Sequence, residues 1–225
     1  MTGPSAADGT VHRVDRQEDL PEPVPDAAFV VVDVIISSTT VVRLLEAGAD
    51  YVRPFADADA ARAFRAETDA FLVGEQGGES VEGFDGSPLP SLVADYPVAD
   101  RPVGLLSSNG TRAMDRIGHD RDIYVGTTVN AAAVAEAVTD HEETWLVAAG
   151  RQGEVVGEDV AGVDRIAGHL EGSPPAAAAL AETIRGTPTA QWLREMGYEH
   201  EIEALCEFDS IDLVPRLRDG VFVAE

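Results

Sequence analysis

The sequence predicts an α/β fold, a three-layer α/β/α arrangement around a mostly parallel sheet. Apolar, strand-like runs alternate with helix-like segments from residue 28 onward. The first run, residues 29–34, is almost continuous Val and Ile, which is typical of a central strand buried on both faces. Two stretches also share one outline, a strand, two serines and a helix that stops at Gly48 or Gly118. They fit an internal duplication, or two unrelated units of a common kind.

The same pattern sets the order of the elements. Short runs rich in Val, Ile, Leu and Phe and bounded by Gly, Pro or Asp predict strands, and the segments between them predict helices. The predicted strands cover residues 29–34, 51–54, 71–73, 103–106, 123–125, 145–148 and 221–224. The predicted helices cover residues 38–47, 58–67, 111–117, 130–138 and 159–170.

The two ends of the chain differ from this alternation. Residues 1–26 are rich in Pro, Asp and Glu and predict a loose lead-in, in which residues 10–14 could add an edge strand. Residues 27–225 suit a single domain. Residues 174–208 look helical, with Ser173 as the N-cap and Pro174 as the first helical residue. The apolar residues of this tail can cover the sheet or form a homodimer surface.

The charge balance excludes several classes of partner. The chain has 41 acidic and 16 basic residues, and every basic residue is arginine. The net charge of −25 opposes bulk attraction to nucleic acid or to an anionic membrane. It favours self-solvation in a salt-rich, halophilic cytoplasm, where salt screens the repulsion.

Other features of the composition also predict a cytoplasmic, soluble protein. A single cysteine, Cys206, excludes an internal disulfide and a cysteine-based zinc site. No run approaches the ~18 apolar residues of a membrane span, and no secretory signal begins the chain.

The predicted carboxyl ends of the strands carry groups suited to an anion. A helix N-terminus has unpaired N–H groups and a favourable dipole for negative charge. Arg112 and Arg151 follow glycine-containing turns, and guanidinium matches phosphate geometry. The candidate ligands of a small phosphorylated molecule are Ser37, Ser38, Thr39, Gly77, Gly78, Ser108, Asn109, Gly110 and Thr111.

Several carboxylates near these strand ends are candidate Mg²⁺ ligands, because hard cations prefer oxygen. Asp33 interrupts an apolar strand, where an unpaired carboxylate is costly, although it could simply cap the Ser–Ser turn. No histidine follows a predicted strand, so a Ser-His-Asp hydrolase is not expected. The others, which could equally be loop or helix-capping residues, are Glu75, Asp85, Glu158 and Asp159.

Taken in order, these motifs resemble the 2-phosphosulfolactate phosphatase (ComB-like) family between residues 29 and 170. The most specific match is Asn109-Gly110-Thr111-Arg112. The others are Val32-Asp33-Val34 with Ser38-Thr39-Thr40, Gly74-Glu75 with Gly77-Gly78, Gly83-Phe84-Asp85 with Ser87-Pro88, Val129-Asn130-Ala131, Ala149-Gly150-Arg151 with Gly153-Glu154, and Glu158-Asp159 with Ala161-Gly162.

The resemblance implies a Mg²⁺-dependent phosphoric monoester hydrolase with an α/β/α fold. Its reaction would release phosphate from 2-phosphosulfolactate and give 3-sulfolactate, on the route to coenzyme M. We expect Asp33, Arg112 and Arg151 to be the catalytic residues of this reaction. Whether Asp33 attacks phosphorus or a metal-bound water does so is left open by the sequence.

Two departures from the family pattern keep the substrate open. Family members usually have arginine at the positions of Ile36 and Gln76. Each charge-assisted hydrogen bond lost would cost roughly 1.5–3 kcal/mol with a trianionic substrate. The alternatives are therefore a phosphatase for a less charged phospho-hydroxy acid and a non-catalytic homologue that binds an anion without turnover.

Overall fold

Strands and helices alternate along most of the chain, as the sequence pattern predicts. The computed structural model describes residues 9–76, 79–107 and 109–225. Within these ranges the strands are β1 (Thr10–Val14), β2 (Ala28–Val32), β3 (Tyr51–Phe55), β4 (Phe71–Gln76), β5 (Glu79–Ser80), β6 (Pro102–Leu106), β7 (Asp122–Gly126), β8 (Glu143–Ala148), β9 (Pro215–Arg218) and β10 (Val221–Ala224). The α-helices in the same ranges are α1 (Ser37–Glu46), α2 (Ala58–Thr68), α3 (Asn109–Ile117), α4 (Ala131–Val138), α5 (Gly157–Leu170), α6 (Ala177–Arg185), α7 (Pro188–Glu195) and α8 (Glu199–Leu205).

The strands form one sheet in the order β1-β8-β2-β7-β9-β10-β3-β6-β4-β5. Its parallel pairs fall into two groups, β1-β8-β2-β7 and β3-β6-β4. The antiparallel hairpin β9-β10 lies between them and pairs antiparallel with β7 on one side and β3 on the other. Three successive antiparallel steps reverse direction, so the two parallel groups run opposite to each other.

Helices cover both faces of this sheet, which confirms the three-layer α/β/α prediction. All five residues of β2 are buried. Phe29 and Val31 pack in a cluster with α1 and α3, whereas Val30 and Val32 pack with α4 and α5 on the other face. Helix α2 covers the outer group of strands, and α6, α7 and α8 pack together beside α5. No helix within the described ranges is both long and apolar enough to cross a bilayer.

The two strand–helix units have the predicted outline. Helix α1 follows β2 and α3 follows β6, and each ends before a glycine, Gly48 or Gly118. These glycines have φ values of +90° and +100°, the left-handed conformation that commonly ends a helix. Helix α1 begins at the first serine of its unit, whereas Ser108 of the second unit lies outside the described residues.

The ends of the chain depart from their predicted description. Strand β1 is an edge strand parallel to β8, as expected, and Val14, Gln17 and Leu20 behind it are buried. The lead-in is therefore partly packed, through strand β1 and these three residues, while residues 1–8 lie outside the described part. The prediction of Ser173 as an N-cap is wrong, because α6 begins only at Ala177. Since Pro174 precedes Pro175, its backbone is disfavoured from the helical region.

Candidate active site

The ends of β2 and β6 meet at a cavity of ≈ 260 Å³. A chain of hydroxyls joins the two strand ends. The Ser107 hydroxyl donates to Ser37 Oγ at 2.7 Å, and the Ser37 hydroxyl donates to Asp33 Oδ2 at 2.9 Å. The cavity is lined by Asp33, Ile35, Ile36, Ser37, Glu75, Ser87, Pro88, Leu89, Leu105, Leu106, Ser107, Asn109, Gly150, Arg151, Val156, Glu158, Asp159, Thr189, Trp192 and Tyr198.

The N-termini of α1 and α3 converge on the Asp33 carboxylate. The backbone amides of Ser37 and Gly110 both hydrogen-bond to it. Burial raises the pKa of Asp33 to about 6 even though the Ser37 hydroxyl and the two amides lower it, and the charge of Glu158 adds to the increase. The N-termini of the helices in the two strand–helix units therefore meet at one acceptor, the Asp33 carboxylate.

Asp159 connects three parts of the structure. It lies in the first turn of α5 and is 2% exposed. Its Oδ1 accepts the Val34 N–H at 2.8 Å, and its Oδ2 accepts the Gly150 N–H at 3.1 Å. Burial and the charge of Asp33 raise the pKa of Asp159 well above its ordinary value, against the effect of these two donors. Asp159 thus holds the loop after β2 and the loop after β8 against α5.

Glu158 differs from Asp159 because one of its oxygens has no hydrogen-bond partner among the described residues. The side chain is 2% exposed and lines the cavity. Its Oε2 is buried and accepts no hydrogen bond from the described residues. A buried carboxylate oxygen in this state is costly unless a ligand or a cation completes its environment. Glu158 is therefore a carboxylate well placed to contact a ligand or a cation in the cavity.

The carboxylates fit a Mg²⁺ ion that is shared with a ligand, and do not fit a closed protein metal site. In the described ranges, no group of three or more His, Cys, Asp or Glu side chains is arranged to hold a metal. Asp33 and Glu158 nevertheless face one cavity. Mg²⁺ is usually held by one or two carboxylates, with water and phosphate oxygens completing the shell. The Glu158 oxygen that accepts no hydrogen bond from the described residues is free to be one of these carboxylate ligands.

Two other predicted metal ligands lie in different settings. Glu75 lines the cavity at the end of β4 and is partly buried. Asp85 does not line the cavity. Its Oδ2 accepts the Leu72 N–H at 2.8 Å and lies 3.3 Å from Arg65 Nη1, so this carboxylate secures the loop after β5 to β4 and α2.

Few of the predicted phosphate-binding hydroxyls point into the cavity. Ser38 Oγ accepts the Asp33 N–H at 2.9 Å, and the Thr39 hydroxyl donates to the Val34 carbonyl at 3.0 Å. The Thr111 hydroxyl donates to the Ser107 carbonyl at 2.7 Å. These three side chains stabilise the turns that precede α1 and α3. Ser37 and Asn109 line the cavity, Gly110 contributes its amide, and Gly77, Gly78 and Ser108 lie outside the described residues.

The arginines separate into paired and unpaired groups. With carboxylates of the described residues, every arginine except Arg53, Arg101, Arg112 and Arg151 forms an ion pair. Arg53 lies over two phenylalanine rings, and Arg101 donates to backbone carbonyls. Toward the described residues, the side chains of Arg112 and Arg151 have no such partner. Both arginines are exposed, but Arg151 lines the cavity, whereas Arg112 lies on α3 outside its lining.

Comparison with known proteins identifies the family. A family model described as 2-phosphosulpholactate phosphatase matches residues 14–220, from the end of β1 to the β9-β10 turn. The chain belongs to the 2-phosphosulfolactate phosphatase family. A relative from Gloeobacter violaceus (strain ATCC 29082 / PCC 7421) is 32% identical over 216 residues, which cover 88% of this chain and 91% of the relative. A second relative, from Synechococcus sp. (strain RCC307), is 31% identical over 222 residues, and the match covers 86% of this chain and 90% of the relative. Both are named probable 2-phosphosulfolactate phosphatase.

The cavity of this 2-phosphosulfolactate phosphatase family member is short of positive charge. Four carboxyl groups line it, on Asp33, Glu75, Glu158 and Asp159. Arg151 is the one cationic side chain of the described residues in its lining. An anionic ligand would therefore need a bound cation, or protons on the carboxyl groups, to offset their repulsion.

The sequence reasoning missed the wall of the cavity that comes from the helical tail. Thr189 and Trp192 of α7 and Tyr198 just before α8 line the cavity. Nothing in the residue pattern of the tail indicated this role, since its apolar residues predicted core packing. Ile36 also lines the cavity, while Gln76 is exposed at the end of β4 and outside the lining.

Proposed function

We propose that this protein is a Mg²⁺-dependent phosphatase. Its substrate would be the phosphomonoester of 2-phosphosulfolactate or of a related small phospho-hydroxy acid. The observation that supports it best is the convergence of two helix N-termini, Asp33 and the unpaired Glu158 oxygen on one cavity, in a chain of this family.

In this proposal the phosphate lies where the amides of α1 and α3 meet. The Gly110 amide and the Ser37 and Ser107 hydroxyls donate to its oxygens, in place of part of their present bonding to Asp33 and to each other. Asp33 and Glu158 hold Mg²⁺, which when bound stabilises charge on the phosphoryl oxygens and favours attack on phosphorus. Asp159 keeps the loops around them in position.

The two unpaired arginines receive different roles. Arg151 lines the cavity, so its guanidinium offsets negative charge as the phosphoryl group leaves. Arg112 is exposed at the fourth residue of the helix that carries Gly110, so it attracts the ligand from outside the cavity. We therefore expect Arg151→Ala to lower kcat/KM by about 10- to 100-fold. Arg112→Ala should have the smaller effect, mostly through KM.

The direct test is phosphate release from 2-phosphosulfolactate by the purified chain, with Mg²⁺ and at about 2 M KCl to screen the net charge. We expect Mg²⁺-dependent hydrolysis that Asp33→Asn reduces by at least about 100-fold, because the variant lacks the carboxylate that would hold Mg²⁺ beside the phosphate. Asp85→Asn is the matched control, since Asp85 lies outside the cavity, and it should keep most of the activity. An equal loss of phosphate-release activity in Asp33→Asn and Asp85→Asn would contradict the assignment of the site.

A non-catalytic anion-binding protein is the second candidate. Ile36 in the lining, and the presence there of a single arginine among the described residues, favour it, because both weaken the charge available to stabilise a transition state. Titration calorimetry with the same compound separates the two. Binding without phosphate release at any Mg²⁺ concentration would support the binding protein and contradict the phosphatase.

A further inference from the structure

One part of the cavity is built by apolar side chains from distant parts of the chain. Ile35 and Ile36 lie in the loop after β2, and Leu89 precedes the turn at residues 90–95. Together with Tyr198, these residues pack in one cluster with the buried residues of α6, α7 and α8. Trp192 of α7 lines the same cavity and is 37% exposed. A bound molecule would find an apolar surface here that is partly open to water.

This apolar part carries no charge that could pair with an anion. Arg151 is the only cationic side chain lining the cavity within the described residues, and the remaining residues (1–8, 77–78 and 108) include no Arg, Lys or His. The Thr189 and Tyr198 hydroxyls can hydrogen-bond to a neutral group, but they supply no charge. A sulfonate placed here would lose water without gaining an ion pair, which is unfavourable.

The polar part of the cavity can accommodate two anionic groups. The phosphate fits the convergence of α1 and α3 with Mg²⁺, and one carboxylate fits Arg151, whose guanidinium forms no ion pair with the described residues. A third anionic group would have to lie against the apolar surface around Ile36 and Trp192, or beside the carboxyl groups of Glu75 and Asp159. The apolar surface offers it no opposite charge, and the carboxylates repel it.

We infer that the preferred substrate is a 2-phospho-hydroxy acid whose remaining substituent is uncharged and apolar. Its substituent packs against Ile36 and Trp192 while the carboxylate pairs with Arg151. This inference rests on the proposed phosphatase function and narrows its substrate class. Ile36 is then a specificity-determining residue, because it occupies the surface that the substituent meets.

The first experiment compares two substrates that differ only in this substituent. Phosphate release with Mg²⁺ is measured for 2-phosphosulfolactate and for the 2-phosphate of 2-hydroxy-4-methylpentanoate, which carries an isobutyl group in place of the sulfomethyl group. We expect kcat/KM to be at least about 10-fold higher for the isobutyl compound, since it buries apolar surface and the sulfonate does not. An equal or higher value for the sulfonated compound would overturn the inference.

The second experiment changes the surface instead of the substrate. Ile36→Arg should reverse the preference, raising kcat/KM for the sulfonated compound by about 10-fold or more and lowering it for the isobutyl compound. Met196→Arg adds the same charge at an exposed position outside the cavity, and should leave the ratio unchanged. If Ile36→Arg does not fold, Trp192→Lys tests the same surface from a partly exposed position. An unchanged ratio in the folded variant contradicts the role of this surface.

The outcomes distinguish the inference from the function on which it rests. Phosphate release from both compounds with preference for the sulfonated one leaves the phosphatase proposal intact and removes the apolar substrate class. Release from neither compound, at any Mg²⁺ concentration, contradicts the phosphatase proposal and the inference with it.

Discussion

At the scale of single residues, Asp33 is held by opposing forces. Burial disfavours its charge, while the Ser37 hydroxyl and the amides of Ser37 and Gly110 favour it. Burial is the larger effect and raises the pKa to about 6. A carboxyl whose pKa is higher in the folded than in the unfolded chain stabilises the fold below its unfolded value of about 3.9, and this stabilisation is lost as the pH rises through the folded value.

The consequence can be measured with Asp33→Asn, which cannot ionise. Without Mg²⁺, in EDTA, we expect the variant to have a higher free energy of unfolding than the wild type at about pH 7.5, by an amount on the order of 1–3 kcal/mol. At about pH 4 the difference should nearly vanish, because Asp33 is then protonated in the folded chain. Urea unfolding at a series of pH values gives these numbers.

A control for this measurement is Asp59→Asn, because the Asp59 side chain is 89% exposed. It should leave the free energy of unfolding nearly unchanged at either pH, within about 0.5 kcal/mol. Lower stability of Asp33→Asn than of the wild type at about pH 7.5 would show that the donors around Asp33, and not its burial, dominate.

At the scale of the elements, the close approach of α5 to β2 positions the acidic residues. A Cβ at Gly162 would lie 2.7 Å from Val32 Cγ1 and 2.9 Å from Val34 Cγ2, so only glycine allows this approach. One turn earlier on the same helix, Asp159 accepts the Val34 N–H. The packing of a glycine against the central strand thus sets the position of a carboxylate at the site.

Replacing this glycine should affect both stability and activity. We expect Gly162→Ala to lower the free energy of unfolding by about 1–3 kcal/mol, because the added methyl group pushes α5 away from β2. The phosphatase activity should fall with it, since Asp159 and Glu158 move with the helix. Chemical denaturation and phosphate-release assays on the same preparation measure the two effects.

Gly168→Ala is the matched change on the same helix. Its Cβ would lie 2.5 Å from Pro175 Cδ and 2.6 Å from Pro174 Cα, far along α5 from the acidic residues. It should cost a similar free energy of unfolding while kcat/KM stays near the wild-type value. Equal loss of activity in the two variants would mean that α5 does not act through its N-terminal residues.

At the scale of the whole molecule, negative charge is the dominant feature. The chain carries a net charge of −25, and most of its arginines are already used in surface ion pairs. Repulsion among the remaining carboxylates opposes the compact state, and salt screens it. The fold should therefore depend on ionic strength more than on any single ion pair, since each exposed pair contributes little.

Thermal or urea unfolding in KCl tests this dependence. The unfolding midpoint should rise steadily between about 0.1 and 2 M KCl, with most of the increase below about 1 M, where the Debye length shortens most. Sucrose at equal osmolality is the control for general exclusion from the surface, and should give a smaller increase. A midpoint that is independent of KCl would contradict an electrostatic origin.

Much of the fold could be predicted because its signals are local. The Val and Ile run of β2, the glycines that end α1 and α3, and the apolar runs of β6 and β10 identify elements from a few neighbouring residues. Strand β9 was not predicted, because a short segment with proline and two arginines has no strand pattern. The division of the tail into α6, α7 and α8 was not predicted either.

The site could be predicted in its residue types but not in its geometry. The sequence by itself determined the family, the run of strands and helices, and the choice of Arg112 and Arg151 as candidate anion ligands. Only the tertiary structure decided that Ser37 meets Ser107, 70 residues away, although their parallel groups run in opposite directions. The tertiary structure also decided that Ser38, Thr39 and Thr111 hydrogen-bond to backbone groups. It placed α7 beside the cavity as well. Periodicity is a property of neighbouring residues, whereas side-chain direction and long-range contact depend on how the layers pack.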